Sequence, residues 1–391
     1  MKKILFLSVF FASIYSFAQT EQQVIKETIE NYKSHQTMSY DVEYSMKFFD
    51  GDEPVTINSS VLIKKQNEDT IFQSKFLYNR IDSSVNIIKY YVPPFLYIID
   101  KNEEKIIKSN ASKGESYISF ITGNIDGDVL GVYFSDIEKL KKKLENANNI
   151  LSYSDSSDLL KIEISFPDDD DFYDQKEVLY IEKTKKIIQK ITYQVKYKDQ
   201  IQQNIWSINN VKFDQTKDSD FDSIVSNHFK TYKIEDYKPL TEEDYKLLED
   251  GAAAPTIVGT IYPDYNKTID LKYDKITILD FWYTSCMPCI KAIPHLNALV
   301  EKYKGEIKII GVNPFEYQSH KKEKIEEFLI RTPIDYSILL TEDIPQAFNV
   351  RAFPTLYIID CNGKVRYSQI GLSDNTYEDL NEILGKLINE R

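Results

Sequence analysis

The stretch ITILDFWYTSCMPCIKAIPHL, residues 276–296, decides the fold of the C-terminal part of the chain. Its first residues form a largely apolar run that predicts a buried strand, and a helical pattern follows from Ile290 to Tyr303. Cys286 and Cys289 lie at the junction. The first thiol is placed at the start of the helix, where unpaired backbone N–H groups and the helix dipole favour a thiolate. The second thiol lies one turn further on, so the pattern predicts a dithiol that exchanges with substrate disulfides.

Several residues near the cysteines match one family in type and spacing. Trp282 lies four residues before Cys286, and Pro288 is the second residue between the cysteines. Pro294 lies inside the predicted helix, at the place of the family's helix-kinking proline. On these residues, the segment 255–391 resembles the thioredoxin superfamily, and most closely the exported TlpA/ResA-type thiol–disulfide oxidoreductases. The resemblance implies an α/β thioredoxin-like domain, with a central mixed sheet flanked by helices.

The resemblance also implies a role for the residues that match. Cys286 is expected to be the exposed nucleophile and Cys289 the resolving thiol. Residues 351–355 match the loop that carries the family's cis-proline, so Pro354 is expected opposite the cysteines, where it shapes the substrate groove. Phe353 is expected to offer backbone groups to an extended substrate peptide.

Two acidic residues and two further motif residues complete the predicted site. Asp280 matches the buried acid that exchanges protons with the resolving thiol in thioredoxins, although a strand-end aspartate facing water is the alternative. Glu316 aligns with an acidic cavity residue of ResA-type proteins. Trp282 is expected to pack against the active-site loop, or else to be a core aromatic residue. We predict that the substrate-binding surface consists of Trp282, Pro288, Glu316 and Phe353.

The sequence favours no metal site and no organic cofactor. It has 3 cysteines and 4 histidines, which leave few ligands for a metal centre. Two cysteines could form half of a zinc site, but a second pair is missing, and Cys361 and His295 are a poor substitute. The predicted redox group is the Cys286–Cys289 disulfide itself, and Cys361 is interpreted as structural or incidental.

Composition and charge exclude several other classes of protein. The 391 residues are 42% hydrophobic and 28% charged, which is close to an ordinary globular protein and unlike a disordered or fibrous chain. The formal net charge of −13 makes nucleic acid a poor electrostatic partner. The content of 28 tyrosines and 21 phenylalanines indicates a large β component.

The N-terminus has the pattern of a secretory signal peptide. A short basic start, an apolar run and small residues before Gln19 predict cleavage after Ala18, with a retained membrane anchor as the alternative. No later stretch approaches the ~20 apolar residues of a membrane span, so the mature chain is expected to be exported, to the periplasm or beyond, without a transmembrane segment.

Residues 19–239 predict a β-rich α+β domain of unknown role with a curved antiparallel sheet, followed by a linker at 240–254. The pattern indicates a first helix from Glu21 to Ser34 and then many strands, including one at Ile224–Tyr232. This order of elements resembles the half-barrel of periplasmic lipoprotein carriers. The resemblance implies an apolar sheet face for an acyl chain or a partner, and the alternative is a face filled by the domain's own helices.

These features predict an exported thiol–disulfide oxidoreductase, and the Cys-x-Pro-Cys form favours a reductase of protein disulfides. Its partners would be disulfide-containing client proteins and a membrane thiol that donates electrons. The rival function is a lipid-binding or client-binding module with an accessory redox domain. A peroxidase of the peroxiredoxin kind is less favoured, because its peroxidatic cysteine does not sit in a Cys-x-x-Cys pair.

Overall fold

The computed structural model describes residues 21–49, 53–81, 86–122, 129–145, 150–156, 158–169, 171–198, 200–317 and 322–390. These residues divide into two compact units, an N-terminal unit of residues 21–47 and 53–238 and a C-terminal unit of residues 239–390 that also includes residues 48–49. The predicted signal peptide at 1–18 lies outside the described residues. None of the helices described combines the length and apolar character that crossing a bilayer requires.

The N-terminal unit consists of a large sheet and five helices within the described ranges. In chain order its elements are α1 Glu21–Ser34, β1 Thr37–Lys47, β2 Val55–Lys65, β3 Ser74–Ile81, β4 Asn86–Val92, β5 Phe95–Asp100, β6 Lys105–Asn110, α2 Glu115–Thr122, α3 Val129–Ser135, α4 Ile137–Glu145, β7 Ile150–Asp155, β8 Leu159–Ser165, β9 Tyr173–Glu182, β10 Ile187–Tyr197, β11 Gln200–Phe213, α5 Asp218–Thr231 and β12 Lys233–Asp236.

The twelve strands form one sheet in the order β12-β6-β5-β4-β3-β2-β1-β11-β10-β9-β8-β7. Neighbouring strands are antiparallel, except for β12 and β6, which are parallel. The alternation of apolar and polar residues accounts for this arrangement. In β1, for example, Tyr40, Val42 and Tyr44 are buried on one face while Asp41 and Glu43 are exposed. The predicted antiparallel β-rich domain is therefore confirmed.

Helices cover both faces of this sheet. Phe76 and Leu77 are neighbours on β3, and their side chains belong to different core clusters. The cluster of Phe76 includes Phe134 of α3 and Val24 of α1, whereas the cluster of Leu77 includes Phe221 of α5. The domain's own helices thus pack against the apolar faces of the sheet. This agrees with the alternative stated above, in which the sheet face is filled by helices and not by a ligand.

The strand predicted at Ile224–Tyr232 is wrong, because this segment belongs to α5. Phe221 and Val225 are buried, and Ile224 and Phe229 pack against the same cluster. They occupy positions i, i+3, i+4 and i+8, which lie on one side of a helix. The β-branched and aromatic residue types suggested a strand, but the period of the apolar residues decides the structure.

The C-terminal unit is built on a seven-stranded mixed sheet in the order β14-β13-β17-β16-β15-β18-β19. Strands β15, β16 and β17 are parallel, and the other pairs are antiparallel. The elements are β13 Val258–Ile261, β14 Thr268–Asp270, β15 Ile276–Phe281, α6 Met287–Lys302, β16 Ile307–Asn313, α7 Lys322–Arg331, β17 Ser337–Leu340, β18 Thr355–Ile359, β19 Val365–Ile370 and α8 Thr376–Asn389.

All six residues of β15 are buried, because the strand lies in the middle of the sheet with packed layers on both faces. Ile276 and Ile278 pack with residues of α6 and α8, including Leu296 and Leu384. Leu279 packs on the opposite face with other apolar residues. The predicted central mixed sheet flanked by helices is confirmed, and β15 leads directly into the loop that carries the two cysteines.

Candidate active site

The cysteines form a disulfide at the start of α6. The Cα atoms of Cys286 and Cys289 are 5.2 Å apart. Cys286 is the N-cap residue of the helix, and its Sγ atom accepts a hydrogen bond from the backbone N–H of Cys289 over 3.2 Å. Pro288 lies in the first turn and Pro294 inside the helix. The first sulfur therefore lies at the positive end of the helix, where a thiolate is favoured.

The expectation that Cys286 is exposed is wrong for this disulfide form. Cys286 is 3% exposed and Cys289 is 0% exposed. Cys289 is more deeply buried than Cys286, which agrees with its predicted role as the resolving thiol.

Asp280 is fully buried, so the alternative of a water-facing aspartate is wrong. It lies on β15 between Gly311 of β16 and Leu356 of β18. Strand alternation places its side chain on the same face as Ile278, which is the face that α6 covers. Burial raises the pKa of Asp280 to about 7, although a hydrogen bond from Tyr336 acts in the opposite direction. A carboxyl group with this pKa exchanges protons near neutral pH.

Trp282 lies in the core rather than on a substrate-binding surface. It is 0% exposed, and its ring packs on Phe328 of α7 with 5.2 Å between ring centroids. Its backbone N–H donates to the carbonyl of Val312 on β16. The core-aromatic alternative therefore describes its position, and direct contact with a client is not supported by this structure.

Glu316 lies beneath the loop that precedes the cysteines. Its carboxylate accepts hydrogen bonds from Asn313 Nδ2 over 2.6 Å and from Thr284 Oγ1 over 3.1 Å. Lys324 of α7 lies 3.8 Å from the same carboxylate and donates to Ser285 Oγ over 3.1 Å. The predicted acid is thus brought to the active-site loop by a network of polar side chains.

The predicted proline loop contributes an aromatic surface. The peptide bond between Phe353 and Pro354 is cis. The ring of Phe353 lies 5.4 Å from the rings of both Tyr283 and Phe315, and those two rings are 5.0 Å apart. We call these three residues the aromatic cluster. The carbonyl of Tyr283 also accepts the backbone N–H of Cys286, so the cluster adjoins the disulfide loop.

Six residues of the site were not predicted from the sequence: Tyr283, Thr284, Asn313, Phe315, Lys324 and Tyr336. Thr284 lies close to the Cys-x-x-Cys motif and could have been predicted from the sequence. Tyr336 lies 56 positions from Asp280 along the chain, and no local pattern connects the two.

Two features lie apart from this site. Cys361 is an exposed free thiol in the turn after β18. In the described ranges, no group of three or more histidine, cysteine, aspartate or glutamate side chains is arranged to hold a metal ion.

Comparison with known proteins places the C-terminal segment among redox proteins. Residues 251–368 match the AhpC/TSA family. Thiol-disulfide oxidoreductase ResA of Geobacillus kaustophilus is 32% identical over 133 residues, which are 33% of this chain and 73% of that protein. Protein DipZ of Mycobacterium tuberculosis is 32% identical over 152 residues, and the chain spans only 22% of its length. The crystal structure of a putative thiol:disulfide interchange protein DsbE from Chlorobium tepidum has 25% sequence identity and a TM-score of 0.33, and covers 36% of this chain and 99% of its own.

Proposed function

The chain belongs to the family of ResA-type thiol-disulfide oxidoreductases, and on this premise we propose that it reduces disulfide bonds of client proteins through Cys286 and Cys289. One structural observation supports this proposal most strongly. The two cysteines are joined at the N-terminus of α6, and a buried carboxyl group with a pKa of about 7 lies on the sheet face that this helix covers.

The reaction begins with the reduced dithiol. The Cys286 thiolate attacks a sulfur of the client disulfide, forms a mixed disulfide and releases the other client sulfur as a thiolate, which takes a proton from water. Cys289 then transfers its proton to the Asp280 carboxylate and attacks Cys286. The Cys286–Cys289 bond forms, the bond to the client breaks, and the client gains two electrons in total.

The start of α6 supports Cys286 as the attacking thiol. Its sulfur accepts the N–H of Cys289 and lies at the positive end of a sixteen-residue helix. Both features stabilise a thiolate relative to a thiol. Cys289 is buried inside the first turn, so it does not meet the client and attacks the Cys286 sulfur of the mixed disulfide instead.

The aromatic cluster and the Phe353–Pro354 segment are the proposed contact surface for a client. Phe315 is 45% exposed, and its ring packs edge to face against Tyr283 and Phe353. An apolar side chain next to the client disulfide would bury surface against these rings. Pro288 completes the rim in the proposal, whereas Trp282 is assigned to packing.

Two features of the sequence support reduction at an exported site. The cysteines enclose Met287 and Pro288, without the histidine found in strongly oxidising relatives. The segment 1–18 has the signal-peptide pattern, which supports a periplasmic or otherwise exported location and a membrane thiol as electron donor. The lipid-binding alternative is less favoured, because helices of the N-terminal unit pack on both faces of its sheet within the described residues.

The test combines a redox titration with a turnover assay on the purified chain. We expect a Cys286–Cys289 potential near about −270 mV and reduction of a disulfide-bonded test peptide with dithiothreitol as electron source. Cys286→Ser and Cys289→Ser should both stop turnover, while Cys361→Ser should retain it. A potential near about −120 mV would make the chain an oxidant. Faster turnover with hydrogen peroxide than with the peptide would assign it to peroxidases.

A further inference from the structure

Tyr336 and Asp280 form a buried pair on the face of the sheet that α6 covers. The Tyr336 hydroxyl donates a hydrogen bond to Asp280 Oδ2 over 3.0 Å, and both side chains are buried. Burial and the nearby Asp280 carboxylate raise the pKa of Tyr336 well above its usual value, so the hydroxyl keeps its proton and acts as donor. Asp280 Oδ1 is also buried and has no hydrogen-bond partner among the described residues.

A glycine leaves the space that the Tyr336 ring occupies. Gly311 on β16 is the register partner of Asp280 on β15. A Cβ atom at Gly311 would lie 2.7 Å from Trp282 Nε1 and 3.1 Å from Cε2 of Tyr336. The two rings therefore occupy the space that a side chain would need, and they enclose the carboxyl group of Asp280 from the β16 side. This packing holds the hydroxyl at Oδ2 and leaves Oδ1 as the oxygen that is free to exchange a proton.

We propose that Tyr336 is a positioning residue for proton transfer between Cys289 and Asp280, because its bond to Oδ2 orients the carboxyl group and favours its charged form. This inference rests on the proposed function, in which Cys289 gives its proton to Asp280. The Tyr336 hydroxyl stabilises the carboxylate that must accept the proton. Without this hydrogen bond, burial would disfavour the charged form of Asp280 unopposed, and less carboxylate would be available to accept the proton.

Few other ionisable groups act on this carboxyl group. Its register partners on β16 and β18, Gly311 and Leu356, have no ionisable side chain. From α6 the relevant groups are the two cysteines, and beside Tyr336 lies Asp335, whose charge acts on the tyrosine hydroxyl. Glu316, the other buried acid of the site, is bonded to Thr284 and Asn313.

The test uses Tyr336→Phe, which removes the hydroxyl and keeps the ring that packs over Gly311. The mixed disulfide of Cys286 with 5-thio-2-nitrobenzoate is formed on the reduced chain in a Cys361→Ser background, because Cys361 is an exposed free thiol, and release of the coloured thiol by Cys289 is followed from pH 5 to 9. We expect the pH profile to move alkaline by about one unit, with release about tenfold slower on its acid limb. In an Asp280→Asn background, Tyr336→Phe should leave the profile unchanged.

A second measurement separates this inference from the proposed function. The carboxyl band of Asp280 is identified by infrared difference against Asp280→Asn and titrated in the oxidised protein, where no turnover is required. We expect its midpoint to rise in Tyr336→Phe. An unchanged midpoint in Tyr336→Phe with intact near-UV circular dichroism would overturn the inference. If the midpoint rises but Cys289 never releases the coloured thiol in the wild type, the proposed function fails, and the role of Tyr336 in proton transfer fails with it.

Discussion

The backbone N–H of Cys289 donates a hydrogen bond to the Sγ atom of Cys286 over 3.2 Å. The two cysteines are therefore not equivalent. The sulfur at the helix cap accepts an N–H and lies at the positive end of the helix dipole, while the other is enclosed in the first turn. This asymmetry supports the proposed roles, in which Cys286 attacks and Cys289 resolves.

The first prediction follows from that assignment. Reduced Cys289→Ser should form stable mixed disulfides with a disulfide-bonded test peptide, because Cys286 attacks and no second thiol releases the product. Intact-mass spectrometry under non-reducing conditions measures the adduct. Cys286→Ser is the matched control and should form far less of it. Equal adduct formation by the two variants would contradict the assignment, and so would adducts on Cys361.

The second prediction concerns the dependence of stability on pH. The pKa of Asp280 is raised by burial from 3.8 to about 7, so the folded protein holds a proton that the unfolded chain releases between these values. The free energy of unfolding of the oxidised protein should therefore fall as pH rises from about 4 to 7. The full shift corresponds to about 4 kcal/mol. Below this window the contribution is fully present.

Asp280→Asn should remove most of this dependence, since the amide does not titrate. Urea unfolding at pH 5 and pH 8 measures it, with Trp282 fluorescence as the probe of the C-terminal unit. A Trp206→Phe background removes the other tryptophan of the chain. If wild type and Asp280→Asn lose the same stability between the two pH values, Asp280 is not the titrating group.

Local sequence was sufficient for the elements that depend on neighbouring residues. The first helix was predicted at Glu21–Ser34, where the structure has α1, and the strand before the cysteines matches β15. Both have a clear apolar period. The strand prediction at Ile224–Tyr232 failed because it followed the β-branched and aromatic residue types, whereas the apolar residues recur with the period of a helix.

The site was predictable where the residues adjoin the motif, and not where contacts depend on tertiary structure. The position of the disulfide at a helix start follows from the strand-to-helix junction alone. The exposure of Cys286 does not follow from the sequence, because it depends on the residues that pack around its sulfur atom. Tyr336 and Lys324 reach the site from elements that follow β16, and only the folding of the sheet brings them to Asp280 and Ser285.

The third prediction tests the aromatic cluster as a client surface. Phe315→Ala should raise KM for an apolar test peptide by about three- to tenfold, because an edge-to-face ring contact contributes about 0.5–1.5 kcal/mol beyond its buried area. The reduction potential should stay unchanged, since the cysteines and Asp280 are untouched. Ile330→Ala is the matched control, because Ile330 is an exposed apolar residue of α7. A KM increase of the same size in the control would indicate a general effect of surface apolarity.

The last prediction separates packing from charge at Glu316. Glu316→Ala leaves the Asn313 amide and the Thr284 hydroxyl buried without their acceptor, and each such group costs about 1–3 kcal/mol. Glu316→Gln keeps an acceptor for one of them and should cost clearly less. Lys324→Met removes the cation 3.8 Å away, and because the Lys324 side chain is 39% exposed, we expect a loss of about 1 kcal/mol or less.

Urea unfolding of the three variants, followed by Trp282 fluorescence as above, ranks these contributions. The expected order of destabilisation is Glu316→Ala, then Glu316→Gln, then Lys324→Met. Thr284→Val should add little to Glu316→Ala, because the hydroxyl it removes has already lost its acceptor. If Glu316→Ala is no more destabilising than Lys324→Met, the buried hydrogen bonds do not hold the active-site loop, and the ion pair with α7 must do so instead.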